Sequence, residues 1–336
     1  MVDILFATNR ILASANPLSP FGERDVAAGE ALYCGLATVE SIDVNASSSG
    51  RITNIDKLVQ GNFQQDQHLA RIYSSPNDIL VFVHGAANSF TDSITRAAYN
   101  QTWLAASGLA NSTFDVIAFS WPACSYTMAN IPGDYFDYIS DQHAAAKSAA
   151  QFGSFLNQMA ALRAAVDQLG TKRINLLCHS MGNYMLAGAV RTFLAMANTT
   201  DKIFDEVILA AADETATTFA APNDDRLSQL WKVGREITVY HSRNDVAMQL
   251  SHLVNRDYRL GYDGPPNQAD TQFFSPAVYE FVDCSGIRDY IGSGIDRTHQ
   301  YYRQSPTVRG DIVQSLAGFT PTRPKYDPET NLYYLY

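Results

Sequence analysis

The 336-residue sequence is poor in charge and contains no long apolar run. Charged residues make up 17% of the chain, below the fraction of about a quarter that is usual in globular proteins. Their balance gives a net charge of −10, which argues against nucleic acid or an anionic membrane surface as the main partner. No apolar run approaches the roughly 20 residues of a transmembrane helix, so no membrane span is predicted.

Cysteine is also scarce, and the four cysteines show no C-x-x-C spacing. They are Cys34, Cys124, Cys178 and Cys284. Most of them lie in strand-like runs, which favours buried free thiols over a disulfide framework or a zinc site. The first ten residues lack a basic segment followed by an apolar stretch. We therefore predict no signal peptide and expect a cytoplasmic location, with a secretion signal that has been trimmed from this sequence as the alternative.

From about Asp78 onward, short apolar runs alternate with segments of helical periodicity. This alternation is typical of a mainly parallel sheet with helices on both faces, and it predicts an α/β fold. Strands are predicted at 2–7, 30–44, 79–83, 114–119, 174–177, 206–212, 237–241 and 278–284. Helices are predicted at 89–106, 141–169, 184–196 and 310–317. Residues 45–62 and 123–140 are predicted to be loops, and the chain after 317 to be irregular.

The strand at 174–177 runs without a linker toward the helix at 184–196, and C-H-S-M-G stands between them. This sequence is a variant of the G-x-S-x-G nucleophile elbow, a sharp strand-to-helix turn that exposes a serine, here Ser180. Small residues are needed two positions before and after the serine, because the backbones would otherwise collide. Cys178 and Gly182 occupy these positions. The alternative is a serine in an ordinary strand–helix turn.

A serine nucleophile needs a base, and the base works best when a carboxylate fixes its tautomer. Such residues meet at the carboxyl ends of parallel strands. Asp245 follows the strand at 237–241, and His299 lies beyond the last predicted strand. This gives the order Ser, Asp, His that the elbow predicts. Asp213 also ends a strand and is the alternative acid.

Acyl transfer further requires donors for the oxyanion. The backbone amide of Met181 is one candidate, because it lies at the N-terminus of the helix after the elbow. The second is predicted to be the amide of Ala86, which follows His84-Gly85 at another strand end. The choice of Ala86 rests on position alone, and Gly85 could instead be an ordinary turn glycine.

Candidates for the walls of a substrate pocket follow the strand at 114–119 or flank the nucleophile. They are Trp121, Tyr135, Tyr138 and His179. Residues 258–274, rich in glycine and proline, are a second candidate wall. The alternative is that these aromatic residues belong to the core. The connection between the strands at 206–212 and 237–241 is short, so no large lid is expected.

Eight segments carry a resemblance to a known family. They are F-A-T-N-R at 6–10, V-F-V-H-G-A-A-N-S-F at 81–90, F-S-W-P at 119–122, C-H-S-M-G-N at 178–183, A-A-A-D at 210–213, S-R-N-D-V-A at 242–247, R-L-G at 259–261 and H-Q-Y-Y at 299–302. In this order they resemble the bacterial predicted esterases catalogued as domain of unknown function 900, within the α/β-hydrolase superfamily. The sequence departs from that family at Cys178, where alanine is usual, and at Ala86-Ala87, where an aromatic residue and an asparagine are usual.

The resemblance implies an eight-stranded α/β-hydrolase sheet and the triad of Ser180, His299 and Asp245. We expect one domain over residues 1–336, with N-terminal strands and loops in 1–75 and a catalytic core in 76–302. A C-terminal helix and irregular tail would fill 303–336.

The expected activity is hydrolysis of small carboxylic esters through an acyl-enzyme, without metal or organic cofactor. Alternatives are the same triad acting on thioesters, amides or lactones, or a binding module that keeps the fold without turnover. The aromatic tail at 331–336 is a candidate surface for packing against a second copy of the chain.

Overall fold

The computed structural model describes residues 1–27, 32–46, 48–61, 68–124, 135–170, 172–196, 201–220, 226–294 and 296–336. Within these residues the chain forms one eleven-stranded, mostly parallel sheet and a separate two-stranded pair. Helices cover both faces of the large sheet. The α/β architecture predicted from the alternation of strands and helices is confirmed.

The strands of both sheets follow one another along the chain from the N-terminus to the C-terminal tail. They are β1 (Val2–Thr8), β2 (Arg10–Leu12), β3 (Phe21–Val26), β4 (Leu32–Glu40), β5 (Arg51–Gly61), β6 (Asp78–Val83), β7 (Phe114–Ser120), β8 (Ile174–His179), β9 (Phe204–Ala210), β10 (Gly234–His241), β11 (Tyr279–Asp283), β12 (Lys325–Asp327) and β13 (Leu332–Tyr334). The large sheet has the order β12-β13-β11-β10-β9-β8-β6-β7-β1-β4-β5, and β2 pairs with β3. Its central strands are parallel, whereas β4, β5 and β12 pair in antiparallel fashion at the two edges.

The expectation of eight strands is too low for the described part of the chain, because three further strands extend the edges of the sheet. β5 falls in the stretch at 45–62 that the sequence predicts to be a loop. Its pairing with β4 contains register shifts, and such bulges interrupt the alternation of apolar and polar residues that marks a strand. β12 and β13 are three residues each, too short to give a periodic signal.

The tail at 331–336 is part of this sheet. β13 pairs in parallel with β11, and Leu332 and Leu335 are buried. Leu332 and Leu335 therefore belong to the core, whereas Tyr336 is exposed, and contact of the tail with a second copy of the chain stays a prediction.

Most of the helices lie between successive strands of the large sheet. They are α1 (Leu69–Ser74), α2 (Phe90–Ala106), α3 (Tyr135–Leu169), α4 (Gly182–Met196), α5 (Val246–Asn255), α6 (Leu260–Asp263), α7 (Asp296–His299), α8 (Tyr301–Gln304) and α9 (Pro306–Leu316), with a 3₁₀ helix at Leu227–Lys232. The loop predicted at 123–140 is wrong for residues 135–140, which form the first turns of α3. Its residues 125–134 lie outside the described part of the chain.

Successive residues of the central strands belong to opposite faces of the sheet. In β8, Leu176 packs in the apolar cluster that contains Phe152 of α3 and Met185 of α4. The next residue, Leu177, packs in the cluster that contains Ile94 of α2 and Ile312 of α9. Because strand side chains alternate in direction, each central strand contributes to both cores, which explains why these strands are apolar throughout.

All four cysteines are described, and all are buried thiols outside any disulfide, as the sequence predicts. No helix in the described ranges is long and apolar enough to cross a membrane. At the carboxyl edge of the sheet, the segments after β6, β8, β10 and β11 carry Ala86, Ser180, Asp245 and His299 respectively. This edge therefore holds the residues that the sequence predicts to meet.

Candidate active site

Ser180 lies at the sharp turn between β8 and α4. Its φ is 53°, in the left-handed region that residues with a side chain rarely adopt. The Ser180 carbonyl accepts from the Asn183 amide at 3.0 Å and from the Asp213 amide at 3.1 Å. The Ser180 amide donates to the carbonyl of Ala210 at 3.0 Å. These three hydrogen bonds stabilise the turn. A strained backbone conformation persists only where the surrounding structure holds it in place.

Two glycines allow the chain to pass close to this turn. A Cβ at Gly85 would lie 2.6 Å from the Cβ of Ser180, and one at Gly182 would lie 2.7 Å from the carbonyl oxygen of His84. Both separations are below van der Waals contact, so the loop after β6 rests directly against the elbow only because these residues lack side chains.

Ser180, His299 and Asp245 form a continuous chain of hydrogen bonds. The Nε2 atom of His299 lies 2.9 Å from the Oγ atom of Ser180, and the Nδ1 atom lies 2.9 Å from the Oδ2 atom of Asp245. The three side chains are almost fully buried. A carboxylate can only accept, so Nδ1 carries the proton of a neutral ring and Nε2 is free to accept from the serine hydroxyl. This is the arrangement that activates a serine for nucleophilic attack.

Asp245 is fixed by its own backbone context. It is the N-cap of α5, and its Oδ1 atom accepts from the amide of Met248 at 3.1 Å. Burial raises the pKa of Asp245, while the His299 ring and the amides at the start of α5 oppose this shift. With Oδ1 committed to the cap, Oδ2 is directed at His299.

Asp213, the alternative acid, is engaged elsewhere. Its carboxylate is within 2.7 Å of the Nη2 atom of Arg259 and accepts from the hydroxyl groups of Tyr138, at 2.9 Å, and Ser251, at 2.5 Å. These contacts assign the Asp213 carboxylate to a buried ion pair, whereas the His299 ring is bonded to Asp245.

His179 supports the backbone of the base. Its Nε2 atom lies 3.1 Å from the carbonyl oxygen of His299, and its ring packs against those of His299 and Tyr302 with centroids 4.7 Å apart. Burial, reinforced by the nearby His299, keeps the pKa of His179 well below its usual value. The ring is therefore neutral and donates to the carbonyl group.

The loop after β6 orients the peptide group that carries the Ala86 amide. The Asn88 side chain donates to the carbonyls of Gly85 at 3.1 Å and Ala86 at 2.6 Å. The backbone amide of Trp121 donates to the Nε2 atom of His84, so Nδ1 of His84 carries the proton and donates to the Gly85 carbonyl at 2.8 Å. In a trans peptide the carbonyl and the amide point in opposite directions. Fixing the Gly85 carbonyl therefore also fixes the direction of the Ala86 N–H.

The two predicted oxyanion donors, Met181 and Ala86, are both near Ser180. Met181 follows it in the sequence, and Ala86 follows Gly85, which contacts the elbow. Across the described ranges, neither amide donates to a protein acceptor. Both are therefore available to a bound group.

The predicted pocket residues differ in exposure. Trp121 is fully buried, stacks on the His84 ring and donates from its indole nitrogen to the His84 carbonyl at 2.8 Å. Tyr138 is buried against Asp213, whereas Tyr135 is 41% exposed. A pocket role for these residues and for the buried His179 stays a prediction.

Part of the stretch predicted as a second wall lines a cavity, but none of the proposed triad residues lines it, so a role for this stretch in a substrate pocket stays a prediction. This cavity of about 260 Å³ lies between 216–220 and 265–274 and is lined mainly by apolar groups, including Phe219, Pro265 and Phe274.

Sequence reasoning gives no role to Arg10 or Asn88, although both stand in segments that carry the family resemblance. For Asp141 the sequence predicts only that it begins a helix. All three are buried and form hydrogen bonds with the backbone of the loop after β6, which contacts Ser180. A charged residue between two apolar runs, as Arg10 between 4–7 and 11–12, is the available signal for such a role.

Comparison with known proteins places the chain in a family. A family model described as "Alpha/beta hydrolase of unknown function (DUF900)" matches residues 61–317. Among solved structures, an acylaminoacyl peptidase from Pyrococcus horikoshii aligns over 90% of this chain and 50% of its own, with 12% identity and a TM-score of 0.38. The chain thus spans about half the length of that protein. No curated protein matches. The family match covers most of the sequence, and the chain belongs to this family of α/β hydrolases of unknown function.

Proposed function

We propose that the protein is a serine hydrolase that cleaves carboxylic esters, with Ser180 as nucleophile, His299 as base and Asp245 as the acid that orients the base. The observation that carries this proposal is the hydrogen-bonded series Ser180–His299–Asp245, with 2.9 Å at each step, on a serine held at positive φ. Membership of an α/β-hydrolase family supports a hydrolytic reaction, and the ester substrate is part of the proposal.

The geometry supports a two-step reaction. In the first step the Oγ atom of Ser180 bonds to the acyl carbon, and its proton passes to Nε2 of His299. The amides of Met181 and Ala86 donate to the oxyanion. When the tetrahedral intermediate collapses, the bond to the leaving alcohol breaks and His299 returns the proton to the alcohol oxygen. Water then attacks the acyl-enzyme by the same route, which releases the acid and restores Ser180.

A panel of p-nitrophenyl esters of graded acyl length tests this proposal, assayed with wild type and with Ser180→Ala. We expect turnover by wild type and a loss of roughly 10⁴-fold or more in the variant, because the nucleophile is removed while the fold is kept. Circular dichroism of both proteins controls for folding.

Labelling by a fluorophosphonate separates the alternatives. Stoichiometric labelling of Ser180 without ester turnover would indicate an active serine nucleophile with another substrate. The proposed substrate class would then be thioesters, amides or lactones, which can be assayed in the same way. A folded wild type that neither turns over nor labels would contradict a serine hydrolase and favour a binding module.

A further inference from the structure

Asp141 of α3 is buried between the loop after β6, which contacts the elbow, and the segment after β7. Its Oδ2 atom accepts from the amide of Ala87 at 2.9 Å, and its Oδ1 atom accepts from the amide of Cys124 at 2.8 Å. One carboxylate thus joins the loop after β6 to the segment after β7. The Ala87 amide belongs to the peptide group next to the Ala86 amide, the proposed oxyanion donor.

Arg10 binds the same two loops through its guanidinium group. Its Nη2 atom donates to the Asn88 carbonyl at 2.8 Å, and its Nε atom donates to the Ser120 hydroxyl at 3.0 Å. Its Nη1 atom lies 3.3 Å from the carbonyl of Ala123. The guanidinium is completely buried and contributes a positive charge that acts on Asp141.

The loop held by these two charged groups has a strained backbone. Ala87 has a φ of 57°, a conformation that costs about 1–2 kcal/mol at a residue with a side chain. Such a conformation persists only where the surroundings hold it. The hydrogen bond from Ala87 to Asp141 is made at the strained residue itself.

We propose that Asp141 is the positioning residue of the oxyanion loop, and that protonation of its carboxylate releases the loop and lowers the rate. The inference rests on the proposed function, because it assigns the Ala86 amide to the oxyanion. Asp141 touches neither substrate nor reacting atoms. It acts by holding Ala87, and through Ala87 the direction of the preceding peptide.

The titration of Asp141 falls in an accessible range. Burial raises its pKa to about 6, although the two amides, the Cys124 thiol and Arg10 oppose the shift. Glu23 and Asp92 act in turn on the charge of Arg10. Below pH 6 the carboxyl group is mostly protonated, so it carries no charge and one of its oxygens bears a hydrogen in place of an accepting lone pair.

The test compares wild type with Asp141→Asn by kcat and KM on one p-nitrophenyl ester between pH 5 and pH 8. In the variant, one amide N–H faces an NH₂ group that cannot accept. At pH 8 we expect kcat to fall about 10- to 100-fold with KM nearly unchanged, less than the 10²–10³ that removal of an oxyanion donor costs. As the pH falls from 8 to 5, the ratio of the wild-type kcat to the variant kcat should shrink by roughly five- to tenfold, because most of the wild type then also lacks the carboxylate. His299 is present in both proteins, so the ratio of the two kcat values reports the effect of the substitution at position 141.

Rates are expressed per site titrated by a fluorophosphonate, so that a partly folded variant still gives a valid kcat. Asp78→Asn is the matched control. Asp78 is a half-buried carboxylate that accepts from the Arg173 amide at 2.9 Å, at the opposite end of β6, and burial raises its pKa as well. Its variant should keep a constant kcat ratio to wild type across the range.

Arg10→Lys provides a second variant if Asp141→Asn does not fold. Lysine keeps the positive charge but lacks the several N–H donors of the guanidinium group. We therefore expect kcat to fall, while the pH range over which the rate declines stays the same.

A wild-type kcat in Asp141→Asn, or a defect of equal size at pH 5 and pH 8, would overturn the inference. Wild type would still label and turn over in that case. Absence of labelling in folded wild type would instead contradict the proposed function.

Discussion

Asp245 and Asp213 are both buried aspartates beside the elbow, and their neighbours decide their roles. Asp245 faces His299, whereas Asp213 faces Arg259, Tyr138 and Ser251. Sequence position alone leaves both open as the acid of the triad, because each follows a strand of the same sheet.

At the residue scale we predict that the two Asp→Asn variants affect different properties, one the turnover number and the other the stability. Asp245→Asn should lower kcat by roughly 10³–10⁴-fold with a small change in stability, because an amide donor toward Nδ1 favours the wrong tautomer of His299. Asp213→Asn should mainly lower the free energy of unfolding, by about 3 kcal/mol, because the buried Arg259 loses its close carboxylate partner and keeps only the half-exposed Asp257 at 3.9 Å. Ester kinetics per labelled site and urea unfolding measure the two quantities. If Asp213→Asn abolished turnover while Asp245→Asn remained active, the acid would have to be reassigned.

At the scale of elements, α2 begins directly after the oxyanion loop. The Ser89 hydroxyl accepts from the Asp92 amide at 3.1 Å, and the Asp92 carboxylate accepts from the Ser89 amide at 2.9 Å. Together these two hydrogen bonds form a capping box, which the S-x-x-D sequence at 89–92 indicates. It fixes where the loop ends and the helix begins.

Ser89→Ala should therefore destabilise the protein by about 1 kcal/mol, the usual cost of losing an N-cap. Urea unfolding measures the change. Ser74→Ala in the short helix α1, where the hydroxyl only bonds back to an exposed turn, is the control and should change stability by less than about 0.5 kcal/mol. Equal effects of the two substitutions would show that the capping box contributes nothing specific.

At the scale of the whole molecule, buried carboxyl groups make stability depend on pH. Glu214 is fully buried beside Arg226, at 2.8 Å, and burial raises its pKa to about 7. The folded state then binds the Glu214 proton more tightly than the unfolded state. The group favours folding at low pH, and this contribution is lost as the pH rises from about 4.5 to about 7.

Glu214→Gln removes this titration. Because glutamine stays neutral, the free energy of unfolding of the variant relative to wild type should increase between pH 5 and pH 8, by on the order of 1–3 kcal/mol. Urea unfolding at several pH values measures the difference. Glu40→Gln, a surface residue paired with Arg51, is the control and should show no such trend. A difference independent of pH would mean that Glu214 stays ionised in the folded state.

Local patterns were sufficient for much of this molecule. The β-branched runs of β6 to β11, the capping box of α2 and the C-H-S-M-G turn are each encoded within a few neighbouring residues, so the sequence by itself determined the α/β fold and drew attention to Ser180. It did not determine the edge strands, because β5 carries bulges and β12 and β13 are only three residues long.

Only the tertiary structure decided which distant side chains meet. Ser180 and His299 are 119 residues apart, and Arg10 lies 78 residues from the Asn88 carbonyl that it holds. Such contacts depend on the order of the strands in the sheet, because this order decides which loops are neighbours at the carboxyl edge. Local periodicity in the sequence does not encode the strand order. For the same reason Asp141 resembles an ordinary helix residue in the sequence, and its contacts with Ala87 and Cys124 exist only in the folded chain.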